Sequence, residues 1–113
     1  MANNLRLTPF FIKKAKRLLK KHHTLQSSLK QLEQTLLINP RTGVSYGSNI
    51  YKVRLADESK GRGKSGGFRV ITYLIEETAE STEIYLITIF DKSEESSIDK
   101  DDIKEILKSE GLL

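Results

Sequence analysis

Residues 82–90, TEIYLITIF, are apolar on both alternating faces, and no other stretch constrains the fold as tightly. Such a segment marks an interior strand, so other strands must flank it. Two segments qualify. In IYKVRL, Lys52 and Arg54 alternate against Tyr51, Val53 and Leu55. In FRVITYLI, Phe68, Val70, Thr72 and Leu74 share one face, and Arg69, Ile71, Tyr73 and Ile75 share the other. Strands are therefore predicted over 50–56, 67–76 and 82–90, with a polar turn at 77–81.

The chain before these strands is helical. Thr8-Pro9 reads as an N-cap followed by a first-turn proline, which loses no needed hydrogen bond and presets the helical φ. A helix over 9–21 then carries Phe11, Ala15, Leu18 and Leu19 on one stripe. His22-His23-Thr24 breaks it. A second helix over 24–38 places Leu25, Leu29, Leu32, Leu36 and Leu37 at helical spacing, and Asn39-Pro40 ends it. Residues 3–7 form a short strand candidate and RTGVSYGSN a loop. Residues 96–102 open a C-terminal helix capped by Ser97 or Asp99, with Ile103, Ile106 and Leu107 as its apolar side and Gly111 as its end. The order β-α-α-β-β-β-α argues an α+β fold. An N-terminal helical hairpin packs on a small twisted, mainly antiparallel β-sheet whose other face is partly open, and a C-terminal helix follows. At 113 residues, a single domain over 1–113 is expected.

Composition narrows the function classes. The absence of cysteine excludes a disulfide scaffold, a thiolate metal site and a cysteine nucleophile. Adjacent His22 and His23 lack a further ligand nearby in sequence, so no metal site is expected. No apolar run reaches the length of a membrane span and MANNLRLTPFF lacks a signal-peptide core, so a soluble, cytoplasmic protein with no membrane partner is expected. The net charge of +4 conceals a division: residues 1–75 hold 15 Lys/Arg against 3 Asp/Glu (+12), and residues 76–113 hold 4 against 12 (−8). A basic part of this kind favours a nucleic-acid face, with intramolecular neutralisation as the plainer alternative. The cations Lys13, Lys14, Lys16, Arg17, Lys20 and Lys21 on the first helix fit either a solvated face or a second nucleic-acid contact.

The cationic series concentrates in KVRLADESKGRGKSGGFRVITY, where Lys52, Arg54, Lys60, Arg62, Lys64 and Arg69 surround glycines 61, 63, 66 and 67. Glycines permit the close backbone approach that phosphate sites use, and Lys and Arg supply the countercharge. A solvated hairpin loop would also be basic and glycine-rich. The alternation argues for a site: if the two strands pair, Lys52, Arg54, Arg69 and Tyr73 share a face, and such charges are poor core material.

NPRTG at 39–43, IYKVRLA at 50–56, KGRGKSGGFRVITYL at 60–74 and IYLITIFDKSE at 84–94 together resemble the RelE/HigB superfamily of type II toxin–antitoxin toxins, most closely its HigB-like branch. The resemblance spans about residues 9–110 and implies a metal-independent endoribonuclease, an mRNA interferase, that cleaves messenger RNA on the ribosome and needs no cofactor. It also implies a cognate antitoxin encoded nearby. Matched residue by residue, Arg69 corresponds to the central phosphate-contacting arginine, and Lys52 and Arg54 to the cations of the neighbouring strand. Lys60, Arg62 and Lys64 correspond to the basic loop, Tyr73 to an aromatic on the Arg69 strand, and Lys92 to a lysine just past the last strand. Arg69, Lys64, Arg62, Tyr73 and Lys92 are thus the implied catalytic set, and Lys52, Arg54, Lys60, Lys64 and Arg69 the implied RNA-binding set. Where the members of the superfamily closest to RelE carry an arginine after that lysine and a tyrosine near the start of the last helix, this chain has Ser93 and Asp99. The general acid and base stay open among Tyr73, Asp91, Glu94 and a lysine. Two other functions share the resemblance: a ParE-like toxin acting on DNA gyrase, and a nucleic-acid-binding module without catalysis.

Overall fold

The structure, a computed structural model, describes residues 3–56, 67–92 and 98–113. In chain order its elements are β1 (Asn4–Leu7), α1 (Pro9–Lys21), α2 (Leu25–Ile38), β2 (Val44–Gly47), β3 (Ile50–Leu55), β4 (Phe68–Thr78), β5 (Ser81–Asp91) and α3 (Lys100–Ser109). The five strands form one sheet in the order β1-β5-β4-β3-β2. Its pairs are antiparallel except β1–β5, which is parallel. The doubly apolar segment β5 lies inside the sheet, flanked by β1 and β4, as its pattern predicts.

Local chemistry sets the helix ends. Thr8 caps α1 by accepting from the Phe11 N–H at 3.0 Å, and its own hydroxyl donates to the Leu86 carbonyl at 3.1 Å, tying the helix start to β5. α2 ends at Asn39, whose N–H returns to the Thr35 carbonyl. Asp99, rather than Ser97, is the cap of α3, accepting from the Asp102 N–H at 2.9 Å. The helix is followed by Gly111 at φ +76.

α1 and α2 cover one face of the sheet. There Phe11, Ala15, Leu18, Leu25, Leu32 and Leu36 meet Val53, Leu55, Phe68, Val70, Leu74 and Ile84. α3 lies on the opposite face, where Ile103 and Leu107 pack on Ile50, Ile71, Ile87 and Phe90. The acidic C-terminal helix thus covers part of the sheet rather than lying along α1. The Phe10 N–H does donate to a Glu110 carboxylate oxygen at 2.7 Å, joining the start of α1 to the end of α3.

One element differs from the sequence reading. The segment taken as a loop contains β2, paired with β3 through Val44–Lys52 and Ser45–Tyr51 and interrupted by a bulge before Gly47. The two-residue turn Ser48-Asn49 joins them with both residues at positive φ, the conformation that continues the twist of a hairpin. β2 is four residues long and mostly exposed, so it carries no apolar alternation to betray it.

Candidate nucleic-acid interface

The register of β3, β4 and β5 arranges the face beneath α3 in rows. Ile50, Tyr73 and Tyr85 form the first, Lys52, Ile71 and Thr88 the second, and Arg54, Arg69 and Phe90 the third. α3 packs against the apolar members of these rows. The third row lies at the end of the sheet where β3 leaves and β4 returns, one residue inside the Leu55–Phe68 pair that closes the ladder.

Backbone contacts pin that end. Gly67 approaches β3 so closely that a Cβ there would stand 2.3 Å from the Leu55 carbonyl oxygen, which makes glycine obligatory. Its own carbonyl accepts from the Lys92 N–H at 3.3 Å, bringing Lys92 to the end of the sheet that holds Arg54 and Arg69.

Arg69 is the most unusual member. Only 4% of its surface is exposed, yet its guanidinium donates to no side chain among the described residues; Nη1 reaches the Phe68 carbonyl at 3.2 Å. A guanidinium has five N–H donors, so the described residues leave most of its capacity unspent. Its direct partner across the strands is another cation, Arg54. Burial, first, and the Arg54 charge, second, hold the Arg69 pKa below the usual arginine value. Like charges directly opposite each other on a sheet are destabilising, and no carboxylate among the described residues pairs with either arginine.

Lys52 extends the charge along β3. Its ammonium sits 5.4 Å from the centre of the Tyr46 ring, a cation–π contact contributed by β2. Lys100 at the start of α3 reaches the same edge: a Cβ on Gly47 would lie 3.2 Å from its Nζ. Tyr46 and Lys100 escaped the sequence reading. The first lay in a presumed loop, and the second in an acidic segment whose charge pattern hid it.

The remaining expected residues divide by position. Tyr73 shares the face, but four residues along β4 separate it from Arg69, about 13 Å at strand rise. It packs in the apolar group under α3. Asp91 pairs with Phe68, a residue of the hairpin-side core, and its carboxylate lies 3.8 Å from His22 Nε2 on that side. It therefore faces away from the arginines. Lys60, Arg62, Lys64, Ser93 and Glu94 lie outside the described residues, although residues 57–66 connect Ala56 to Gly67 and so attach beside the Arg54–Arg69 row. Arg41 of the NPRTG string does not join the site. It pairs with Glu76 and donates to the Tyr51 hydroxyl at 3.0 Å, fastening the β2 entry to β3 and β4.

The chain is similar to the E. coli toxin RelE, solved in the free state as a mutant with two arginines replaced by alanine. The TM-score is 0.59 at 20% identity, covering 96% of this chain and 98% of that one, which establishes a shared fold. The family model described as "RelE toxin of RelE / RelB toxin-antitoxin system" matches residues 8–111. The chain therefore belongs to the RelE toxin family, as a toxin of the type II toxin–antitoxin kind for which an antitoxin is the partner. No helix among the described residues is long and apolar enough to cross a membrane.

Proposed function

We propose that the chain is an endoribonuclease that cuts messenger RNA during translation without a metal ion. The observation that carries this reading is the Arg54–Arg69 row, a nearly buried arginine set directly opposite a second cation with no carboxylate on either among the described residues. Two guanidiniums held together against their own repulsion gain most when an anion arrives between them.

The chemistry that suits them is transesterification within RNA. The ribose 2′-hydroxyl gives up its proton to a base as its oxygen bonds to the adjacent phosphorus, the P–O5′ bond breaks and the 5′-oxygen takes up a proton, and the products are a 2′,3′-cyclic phosphate and a 5′-hydroxyl. Negative charge builds on the non-bridging oxygens in the transition state. Arg69, packed in place before substrate arrives, stabilises that charge at little reorganisation cost. Arg54 shares the phosphate, and Lys52 holds the strand alongside. Lys92, at the same end of the sheet, is the described residue best placed to serve the leaving oxygen, and Lys60, Arg62 and Lys64 of the basic series between Ala56 and Gly67 are its candidate partners. Tyr73, two rows away and against α3, suits a neighbouring nucleotide better than the scissile phosphate. Asp91 is set aside as general base, because it faces the helical hairpin.

Primer extension on a translated mRNA, before and after brief induction, tests the proposal. New in-frame 5′ ends that vanish with Arg69→Ala are expected. Growth arrest accompanied by DNA damage and intact mRNA would replace the proposal with gyrase inhibition. Arrest without either lesion would leave a binding module.

A further inference from the structure

Three of the six cations of α1 form a stripe on its outer face. Phe11, Ala15 and Leu18 are buried, while Lys13, Lys16 and Lys20 are exposed at i, i+3 and i+7 on the side of the helix opposite that stripe. The helix contains no acidic residue. Lys13–Lys16, Lys16–Lys20 and Lys13–Arg17 are like-charged neighbours at the spacings where a helix interleaves opposite charges if solubility is the only requirement.

The far end of α1 leads to the interface described above. His22 caps the helix, and its ring stands edge-on to Phe68 with centroids 5.2 Å apart. Phe68 immediately precedes Arg69 and pairs across β3 with Leu55, the neighbour of Arg54. The C-terminal turn of α1, bearing Lys20, and the Arg54–Arg69 row therefore lie at the same end of the sheet, on its two sides. A polyanion running from the arginine row over that end approaches the C-terminal turn of α1, where Lys20 begins the stripe.

We infer that the exposed Lys13–Lys16–Lys20 stripe of α1 is a second RNA-backbone contact, continuous around the Phe68 end of the sheet with the Arg54–Arg69 row. The inference rests on RNA being the target of the first site. Three lysines with no planar partner read phosphate charge and not sequence, so the contact adds affinity and salt dependence without base preference.

The test uses the full chain and a fluorescent 20-nucleotide 2′-O-methyl RNA, which lacks the attacking hydroxyl and stays intact during titration. Affinity is measured from low to moderate salt for the unmodified protein, for K13Q/K16Q/K20Q and for R54Q/R69M, with a thermal melt confirming that each variant is folded. Losing three phosphate contacts should flatten the slope of log K against log salt by about 2 in the lysine variant. An unchanged slope and affinity in that variant, with binding lost in R54Q/R69M, overturns the inference and leaves the first site standing; an acidic protein partner would then be the stripe's remaining occupant. Loss in the lysine variant with full binding in R54Q/R69M supports the stripe and refutes the arginine row. Absence of RNA binding by the unmodified protein overturns both.

Discussion

The two faces of this sheet are built by the same strands and do opposite things. On the hairpin side, Val53, Leu55, Phe68 and Val70 bury against α1 and α2, with the buried Asp91 carboxylate beside His22 at the edge of that core. One residue along each strand, Arg54 and Arg69 turn to the other side, where α3 packs on the apolar members of the rows and the cation pair has no carboxylate partner among the described residues. Alternation with period two lets a short chain separate stability from function across one backbone thickness. Phe68 and Arg69 are adjacent in sequence and lie on opposite faces of the sheet.

That contrast can be broken residue by residue. Phe68 is fully buried, so Phe68→Ala should cost about 3–5 kcal/mol of unfolding free energy, read by denaturant melts. Arg69→Met should act the other way. Removing a buried cation that faces another cation should leave stability equal or higher, while cleavage of ribosome-bound mRNA falls on the order of 10²–10³-fold. A variant that melts early and cuts normally would mean that Arg69 is a structural residue.

Much of this division was legible beforehand. The alternation in IYKVRL and FRVITYL assigns every side chain to its observed face, and Thr8-Pro9 announces the start of α1. What sequence does not give is depth. Alternation says that Arg69 and Tyr73 share a side, but the register and the seat of α3 decide that Arg69 is nearly buried at the end of the sheet and Tyr73 lies against the helix. The parallel pairing of β1 with β5 joins residues 79 apart, Asn4 with Glu83, through contacts no local pattern encodes. β2 was missed because bulge and turn geometry, not apolar spacing, define it.

Smaller effects sharpen the same comparison. Asp99→Ala removes the cap of α3 and should cost about 1 kcal/mol of stability, with cleavage unchanged, because Asp99 spends its carboxylate on the Asp102 N–H. If cleavage fell with it, the position would carry chemistry as well as a cap. The smallest effect is a pH dependence at the β1 edge. Glu83 accepts from Arg6 at 2.6 Å and from Asn4 at 2.8 Å, contacts that hold its carboxyl below the usual carboxylate range. A depressed native value means that the pairing stabilises the fold above the unfolded carboxyl's pKa and is lost as pH falls through the native one. Melting temperatures of the unmodified protein and Glu83→Gln should therefore converge in acid and separate toward neutrality. Parallel curves would show that the Arg6 contact contributes nothing.

The central claim is that the Arg54–Arg69 row stabilises charge during RNA cleavage. Single-turnover cleavage of ribosome-bound mRNA by the unmodified chain and by Arg69→Met, with the 3′ product ends identified chemically, tests it most directly. The account predicts rapid formation of 2′,3′-cyclic phosphate ends by the first protein and a rate lower by two orders of magnitude or more in the folded second. Equal rates in the two proteins would contradict it.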